Sequence, residues 1–218
     1  MKSLIALALV IVFFASTSAT NQTPGNAFST AKVLPPLPFE PERFDFSIGL
    51  SQYTVSKEGK GSITTQGTKR RSFDLSLERN DRLVRVYYAD YEGELLLIGE
   101  VTDDVYGAGF VARLDTRALK MKWKCSIPAF NVGQALIYEG NVYVTGVGFV
   151  GKINLRSGKY HWRHEDLYRR NNKAFSFFAF PEIDGTTVTF REEPSPYRKK
   201  IALIVIDRVT GRIVKIDT

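Results

Sequence analysis

The sequence predicts an all-β protein of about four or five blade-like antiparallel β units, arranged as a β-propeller or as part of one. The first observation is an internal repeat: GAGFVARLD at residues 107–115 returns 39 residues later as GVGFVGKIN at residues 146–154. Each copy continues to a tryptophan, Trp123 or Trp162, eight residues beyond its end. A repeat of about 40 residues with short apolar runs and tight turns is typical of a propeller blade. The second observation is that no segment has the periodicity of a long helix.

The first 19 residues have the pattern of a secretory signal peptide. Lys2 precedes an apolar run over residues 4–15, and small residues follow up to Ala19, after which we expect cleavage. The run is shorter than the roughly 20 residues needed to cross a bilayer, which disfavours a membrane anchor. No later stretch is apolar enough to span a membrane. We therefore expect a secreted or periplasmic protein that has no transmembrane segment after signal cleavage.

Residues 20–43 differ in composition from the rest of the chain. This segment contains five prolines and has no hydrophobic periodicity. Because proline removes a backbone donor and stiffens the chain, the segment is predicted to be an extended linker or arm rather than core. The remaining residues, 44–218, are predicted to form the propeller-like domain. Cys125 is the only cysteine, so no intramolecular disulfide can form and the core must supply the stability.

Short strands are predicted throughout residues 44–218, bounded by glycine-rich or charged turns. Before the repeat they cover residues 47–55, 71–77 and 83–88. The first copy of the repeat contains strands at residues 95–98, 106–114 and 120–126, and the second at residues 135–138, 141–145, 149–155 and 159–164. A third, weaker copy covers residues 187–192, 201–207 and 212–216, with an insertion at about residues 193–200.

Each repeat has the plan of a hairpin: an apolar strand, an Asp or Asn, a turn, and a paired strand. The Asp or Asn side chain can accept hydrogen bonds from the backbone of its own turn, and a glycine in the turn supplies positive φ. A tryptophan on the paired strand is large and flat enough to wedge against the next sheet. The motif residues are Asp115, Trp123, Asn154, Gly158, Trp162, Asp207 and Gly211, while Lys215 replaces the tryptophan in the third copy.

The repeat resembles that of the PQQ-like family, whose blades carry the pattern A-x-D-x-x-T-G-x-x-x-W. The likeness covers residues 94–218 and is clearest at INLRSGKYHW (153–162) and VIDRVTGR (205–212). It implies a β-propeller of PQQ-like or related WD40-like type. Enzymes of the family are longer and eight-bladed, and they bind pyrroloquinoline quinone and Ca²⁺ in a central funnel. The shorter chain is more similar to members that bind no cofactor, which include outer-membrane assembly scaffolds, so no cofactor is expected.

With so few units, the array is expected to be a four-bladed or irregular propeller, or an open stack of sheets. Closure into a ring would remove exposed strand edges. An open stack would instead need polar caps at its two ends, or a partner chain.

Two patterns that could bind a ligand are weighed against simpler explanations. Residues 146–151 match the dinucleotide pattern G-x-G-x-x-G, but this pattern needs a helix after it, and residues 152–155 continue as a strand. A turn between blade strands is the preferred interpretation. His161 and His164, with an acidic neighbour as third ligand, could bind zinc, but residues three apart in a strand point to opposite faces. Both are expected to be surface histidines.

No catalytic set is recognisable among the other polar residues. Cys125 lies in a predicted strand and is expected to be a small buried residue rather than a nucleophile. The acidic pairs Asp103–Asp104 and Glu192–Glu193 could serve glycoside hydrolysis, yet adjacent carboxylates are more typical of solvated loops. The sequence therefore predicts no catalytic, cofactor or metal site.

A basic surface is the remaining candidate for binding. The chain has a formal net charge of +7, and lysine and arginine cluster beside tyrosine in the second half. Such clusters could contact an acidic protein surface, lipid headgroups or an anionic polymer, although a merely solvated basic surface is the simpler interpretation. Export argues against nucleic acid as a partner. The candidate partner surface comprises Arg169, Arg170, Tyr197, Arg198, Lys199 and Lys200.

The sequence therefore favours an exported, non-enzymatic binding or scaffold protein that presents a propeller-like surface to a protein or envelope component. The alternative is an enzyme of a propeller family, carbohydrate-active or quinone-dependent, with its site in the central funnel. A third hypothesis is a relic of a longer propeller. Any site is expected at one end of the central channel, on loops such as residues 103–107, 140–141 and 169–173.

Overall fold

A computed structural model describes residues 26–27, 29–30, 32–34, 42–103, 106–176, 179–194 and 200–218. Every regular element in these residues is a β-strand, which confirms the predicted all-β class. None of the described residues belongs to a helix with the length and hydropathy required to cross a bilayer. The strands are β1 (Asn26–Ala27), β2 (Ser29–Thr30), β3 (Lys32–Leu34), β4 (Arg43–Ile48), β5 (Ser51–Ser56), β6 (Lys60–Thr65), β7 (Arg71–Asp74), β8 (Arg82–Tyr91), β9 (Glu94–Thr102), β10 (Gly107–Asp115), β11 (Lys120–Ile127), β12 (Leu136–Tyr138), β13 (Asn141–Gly146), β14 (Phe149–Asn154), β15 (Tyr160–His164), β16 (Glu182–Asp184), β17 (Thr187–Arg191), β18 (Leu203–Asp207) and β19 (Ile213–Asp217).

The strands form four antiparallel sheets, which we number along the chain. Sheet 1 has the order β3-β4-β5-β6-β7, and sheet 2 the order β2-β8-β9-β10-β11. Sheet 3 has the order β1-β12-β13-β14-β15, and sheet 4 the order β16-β17-β18-β19. Within each sheet, four strands that follow one another in the chain also lie side by side. This is the arrangement of a propeller blade, and four such units agree with the predicted four or five.

The sheets stack face to face in chain order, with a hydrophobic cluster between each consecutive pair. Phe44 of sheet 1 meets Leu97 of sheet 2 in the first cluster, and Ile98 of sheet 2 meets Val144 of sheet 3 in the second. The third cluster joins sheets 3 and 4. Strand β9 explains the unbroken apolar run at residues 95–98, because alternate residues of this strand enter different clusters and both of its faces are buried.

The stack is open at both ends. Among the described residues, no hydrophobic cluster joins sheet 1 to sheet 4. The residues of sheet 1 that point away from sheet 2 are polar and include Ser47, Gln52 and Thr54. The outer face of sheet 4 is mixed, because Thr189 lies there beside Val205, and Leu203 lies there as well. The polar outer face of sheet 1 is the kind of end cap that an unclosed array requires, whereas the outer face of sheet 4 is partly apolar.

The arm segment contributes a strand to each of three sheets. Asn26 pairs with Ile137 of sheet 3, Ser29 pairs with Tyr88 of sheet 2, and Lys32 pairs with Asp45 of sheet 1, each in antiparallel orientation. Strands β1, β2 and β3 therefore pair with the first strands of three successive blades. The proposed boundaries of the signal peptide, arm and domain stay predictions.

Most predicted strands lie within one or two residues of those observed, but residues 47–55 do not form one strand. Strand β4 ends at Ile48, a turn occupies residues 49–50, and β5 begins at Ser51. Gly49 adopts a φ of 55°, which lets the chain reverse there. The insertion predicted at residues 193–200 lies largely outside the described residues.

Candidate loop-end interaction surface

The order of the strands gives the array two different ends. At the turn end lie the short turns that join the first strand of each blade to the second and the third to the fourth. At the loop end lie the loops between second and third strands and the connections from one sheet to the next. Residues 103–107 and 169–173 belong to the loop end, whereas residues 140–141 form a turn at the opposite end. The three loops expected to share one site therefore do not lie together.

The repeat motif joins neighbouring sheets. Trp123 of sheet 2 donates its indole N–H to the carbonyl of Leu155 in sheet 3, at 3.0 Å. Trp162 of sheet 3 donates in the same way to Arg208 of sheet 4, also at 3.0 Å. The rings lie against Gly158 and Gly211, where an added Cβ would come within 2.5 Å of the indole. The motif thus serves the stacking of sheets.

The acidic and amide residues of the motif hold the turns. Asp115 accepts hydrogen bonds from the backbone N–H groups of Arg117 and Ala118, both at 2.8 Å, and these bonds lower the pKa of its carboxyl. Asn154 and Asp207 accept the equivalent pair of bonds in the next two blades. Because aspartate and asparagine both present the required oxygen, the sequence can alternate between them.

Aromatic side chains are exposed at the loop end. Tyr106 is 77% exposed, Tyr168 52%, Phe130 48% and Phe180 38%. Among the described residues, these are all the large aromatic side chains that are exposed. We call these four residues the aromatic surface. Scattered apolar side chains are ordinary on a protein surface, but aromatic residues concentrated at one end are typical of protein–protein contacts.

The loop that carries Phe130 is fixed on both sides. The carboxylate of Glu100 in sheet 2 accepts the backbone N–H of Asn131 at 2.8 Å, and the Phe130 carbonyl accepts the N–H of Val147 in sheet 3 at 3.1 Å. Asn131 has a φ of 49°, a left-handed conformation that asparagine adopts more readily than most residues with a side chain. A loop anchored in this way presents Phe130 with little freedom to turn inward.

Glu100 itself is a buried charge. Its side chain is 8% exposed, and its second carboxylate oxygen lies 3.4 Å from the guanidinium of Arg85. Tyr87 donates its hydroxyl to the Val132 carbonyl at 3.3 Å and thereby holds the next residue of the loop. Sequence analysis did not single out Glu100, although one carboxylate within the apolar run of β9 was a usable signal.

A second buried glutamate holds the connection that carries Tyr168. Glu192 accepts the backbone N–H of Ser176 at 3.0 Å, and its side chain is 2% exposed. Arg169 lies 3.4 Å from the same carboxylate, and its guanidinium covers the ring of Phe175 at 5.7 Å. The loop of Phe130 and the connection of Tyr168 are therefore each fastened by a buried carboxylate paired with an arginine.

The structure separates the basic residues predicted to contact a partner. Arg169 is mostly buried in its pair with Glu192, so its main contact lies within the protein. Arg170 and Lys200 are exposed at the loop end, beside the aromatic surface. Tyr197, Arg198 and Lys199 lie outside the described residues.

The other candidate sites have structural explanations. Residues 146–151 form the hairpin between β13 and β14. His164 donates to the Gly211 carbonyl at 2.8 Å, and burial raises the pKa of the Cys125 thiol. Glu193 is exposed, but Glu192 is buried, so the expectation that both carboxylates are solvated is wrong for Glu192, which accepts the Ser176 N–H. Asp104 lies outside the described residues. In the described part of the chain, no group of three or more His, Cys, Asp or Glu side chains is placed to bind a metal ion.

Comparison with known proteins supports the architecture. No family model matches the chain, and no curated protein sequence matches it. BamB from Moraxella catarrhalis aligns over 77% of this chain and 49% of its own, with a TM-score of 0.52 and 13% identity. The computationally designed protein Ika8 (TM-score 0.49, 12% identity, 79% of this chain and 48% of its own) and apo AztD from Citrobacter koseri (0.48, 10%, 89% and 59%) are more distant.

The chain spans about half the length of the first two structures that it matches. At these identities the likeness concerns the fold alone. The likeness to BamB agrees with the stacked antiparallel sheets. The described residues thus have the fold of a PQQ-like β-propeller, of which they form four stacked blades.

Proposed function

We propose that this chain is an exported, non-enzymatic binding or scaffold protein that holds a protein partner at its loop end. The observation that carries the proposal is the aromatic surface, in which Phe130 and Tyr168 lie on loops fastened by Glu100 and Glu192. Tyrosine, tryptophan and arginine dominate the energetics of protein interfaces, because large rigid side chains bury much area at little entropic cost. Export is supported by the signal-peptide pattern of residues 1–19.

The charges around the aromatic surface support a polar rim. Arg170 and Lys200 are exposed there and could meet carboxylates of an acidic partner. Rim charges act mainly on the rate of association and on its salt dependence. Binding of an anionic polymer would depend on these cations far more than on the aromatic rings. Loss of binding on removal of the rings therefore distinguishes a protein partner from such a polymer.

The alternative, an enzyme with its site in a central funnel, receives less support. The four described sheets do not close into a ring, and the arm follows the first strands of three blades, where a funnel would lie.

The experiment is affinity capture of the mature protein from its own cell envelope, followed by quantitative mass spectrometry. We compare the wild type with a variant in which Tyr106, Phe130 and Tyr168 are replaced by alanine. The matched control carries Leu50→Ala and Val209→Ala, which remove apolar side chains that are 73% and 75% exposed at the turn end. We expect a partner captured by the wild type and the control but reduced at least tenfold with the triple variant. Equal capture by all three proteins would contradict the proposal.

A further inference from the structure

The inner edge of each blade is its first strand, and in three blades this edge already carries an added strand. The arm pairs with the inner edges of sheets 3, 2 and 1 in turn. Successive pairings begin at Asn26, Ser29 and Lys32, a spacing of three residues per blade. The first strands of these three blades therefore lie in succession, and each pairs with extended backbone. We call this row of inner strand edges the track.

The register of the β16–β17 hairpin shows which residue of β16 directs its backbone N–H and C=O groups toward the inner edge of sheet 4. Asp184 and Thr187 flank the two-residue turn at 185–186 and form the hydrogen-bonded pair of the hairpin. Antiparallel pairs alternate, so the N–H and C=O groups of Ile183 point away from β17, toward the open edge. Ile137 has the equivalent place in sheet 3, and it is the residue with which Asn26 pairs.

Strand β16 is packed on one face, and its inner edge is unpaired within the described residues. Ile183 packs against the cluster between sheets 3 and 4, which fixes β16 in place. Within the described residues, no strand pairs with β16 on this side. An uncovered edge presents backbone groups ready to pair with another chain.

The surroundings of this edge indicate what it would accept. Asp184, beside Ile183, has an exposed side chain that favours a cationic neighbour. Glu182, on the other side, is also exposed, but its carboxylate already accepts hydrogen bonds from Arg191 at 3.2 and 3.4 Å. Phe180, part of the aromatic surface, lies two residues before β16 and is 38% exposed. The edge is thus continuous with the surface assigned to partner binding.

We propose that the edge of β16 receives an extended, basic segment of the protein partner, which adds a fifth strand to sheet 4 as the arm does to the other sheets. This inference rests on the proposed function and specifies how the partner binds. Backbone hydrogen bonds to Ile183 supply affinity, while Phe180 selects an apolar side chain and Asp184 selects a basic one.

The test uses a fluorescent peptide that copies residues 26–34 (NAFSTAKVL), a sequence that the track already accepts. Binding to residues 20–218 is followed by anisotropy and by the ¹⁵N resonance of Ile183. We expect saturable binding, a shift of the Ile183 amide, and at least tenfold weaker binding to Ile183→Pro. Ile183→Ala retains the N–H and is the matched control, which we expect to bind within threefold of the wild type.

A series of N-methylated peptides tests the same bonds without changing the protein. Methylation at alternate residues should abolish binding, while methylation at the residues between them should not. Replacing the peptide lysine by glutamate should weaken binding severalfold.

Three outcomes would overturn the inference. The first is that the peptide does not bind, and the second is that no N-methylation weakens its binding. The third is that the peptide binds only after residues 20–25 are deleted, which would show that these residues of the chain itself occupy the edge. If the triple aromatic variant still loses its partner in those cases, the proposed function stands and only the strand addition fails.

Discussion

Trp162 of sheet 3 packs on Gly211 of sheet 4 so closely that a Cβ at residue 211 would lie 2.5 Å from the indole Cγ. Gly211 also has a φ of 76°. We predict that Gly211→Ala lowers the free energy of unfolding by about 2–4 kcal/mol, because backbone strain and a clash act together. Chemical denaturation measures the change.

Gly67 provides the control for the strain alone. It has a φ of 77°, but no heavy atom lies within 4 Å of an added Cβ. Gly67→Ala should therefore cost only about 1–2 kcal/mol. Equal losses for the two variants would show that the contact between tryptophan and glycine does not limit the packing of sheets 3 and 4.

Arg113 links sheets 2 and 3 from a site where its side chain is 9% exposed. It donates to the carboxylate of Glu94 and, at 2.9 Å, to the Leu155 carbonyl. We predict that Arg113→Ala lowers the free energy of unfolding by about 3–5 kcal/mol, since it leaves the Glu94 carboxylate with one cation fewer in a confined place. Arg156→Ala, at an exposed position, should change it by less than about 0.5 kcal/mol. Similar values for the two variants would contradict the role of Arg113.

Glu94 makes part of the stability depend on pH. Burial raises the pKa of its carboxyl, but hydrogen bonds from Lys122 and Arg113 outweigh this effect and hold the pKa below its ordinary value. A depressed folded-state pKa contributes stability that is present above the ordinary value of about 4.3 and is lost as the pH falls through the folded-state pKa.

The Glu94 contribution can be isolated by substitution. The wild type should lose stability between about pH 5 and 3 more steeply than Glu94→Gln, since glutamine does not titrate. Urea denaturation at several pH values measures both slopes. Parallel curves for the two proteins would exclude this contribution.

Glu100 is predicted to act on partner binding through Phe130. In Glu100→Ala, the Asn131 N–H loses its acceptor and the loop can relax, so amide exchange at residues 130–132 should become faster. The free energy of unfolding should fall by about 1–3 kcal/mol, the cost of an unsatisfied buried group. Glu100→Gln keeps an acceptor oxygen and should show smaller changes. Partner capture that falls with Phe130→Ala but is unaffected by Glu100→Ala would show that the loop needs no such anchor.

The sequence could predict the blades because the contacts between sheets use distinctive residues. The Trp162 indole packs on Gly211 of the next sheet and leaves no space for a side chain there, so both residue types recur in the repeat and can be recognised in the sequence. Position 119 is the informative exception. It corresponds to Gly158 and Gly211 but holds a leucine at a φ of 53°. Sheet 1 has no tryptophan, so no indole ring excludes a side chain there.

The arm and the aromatic surface could not be predicted in the same way. The arm pairs through backbone groups, which every residue except proline can offer, so its pairing leaves no pattern in the sequence. Phe130 and Phe110 are equally hydrophobic, yet one is 48% exposed and the other 2%. That difference in exposure arises because Phe130 lies on a loop and Phe110 on a buried strand. The one local signal in the sequence was Glu100, because a carboxylate within an apolar run indicates a specific polar contact there.

Site-specific photo-crosslinking tests the central claim most directly. A photoreactive phenylalanine is placed at position 130 on the loop end or at position 209 on the turn end, and the native envelope is irradiated. Val209 is 75% exposed, so both probes are accessible. We predict one reproducible protein crosslink from position 130 and none from position 209. Crosslinks from position 209 alone, or none from either position, would contradict a partner held at the loop end.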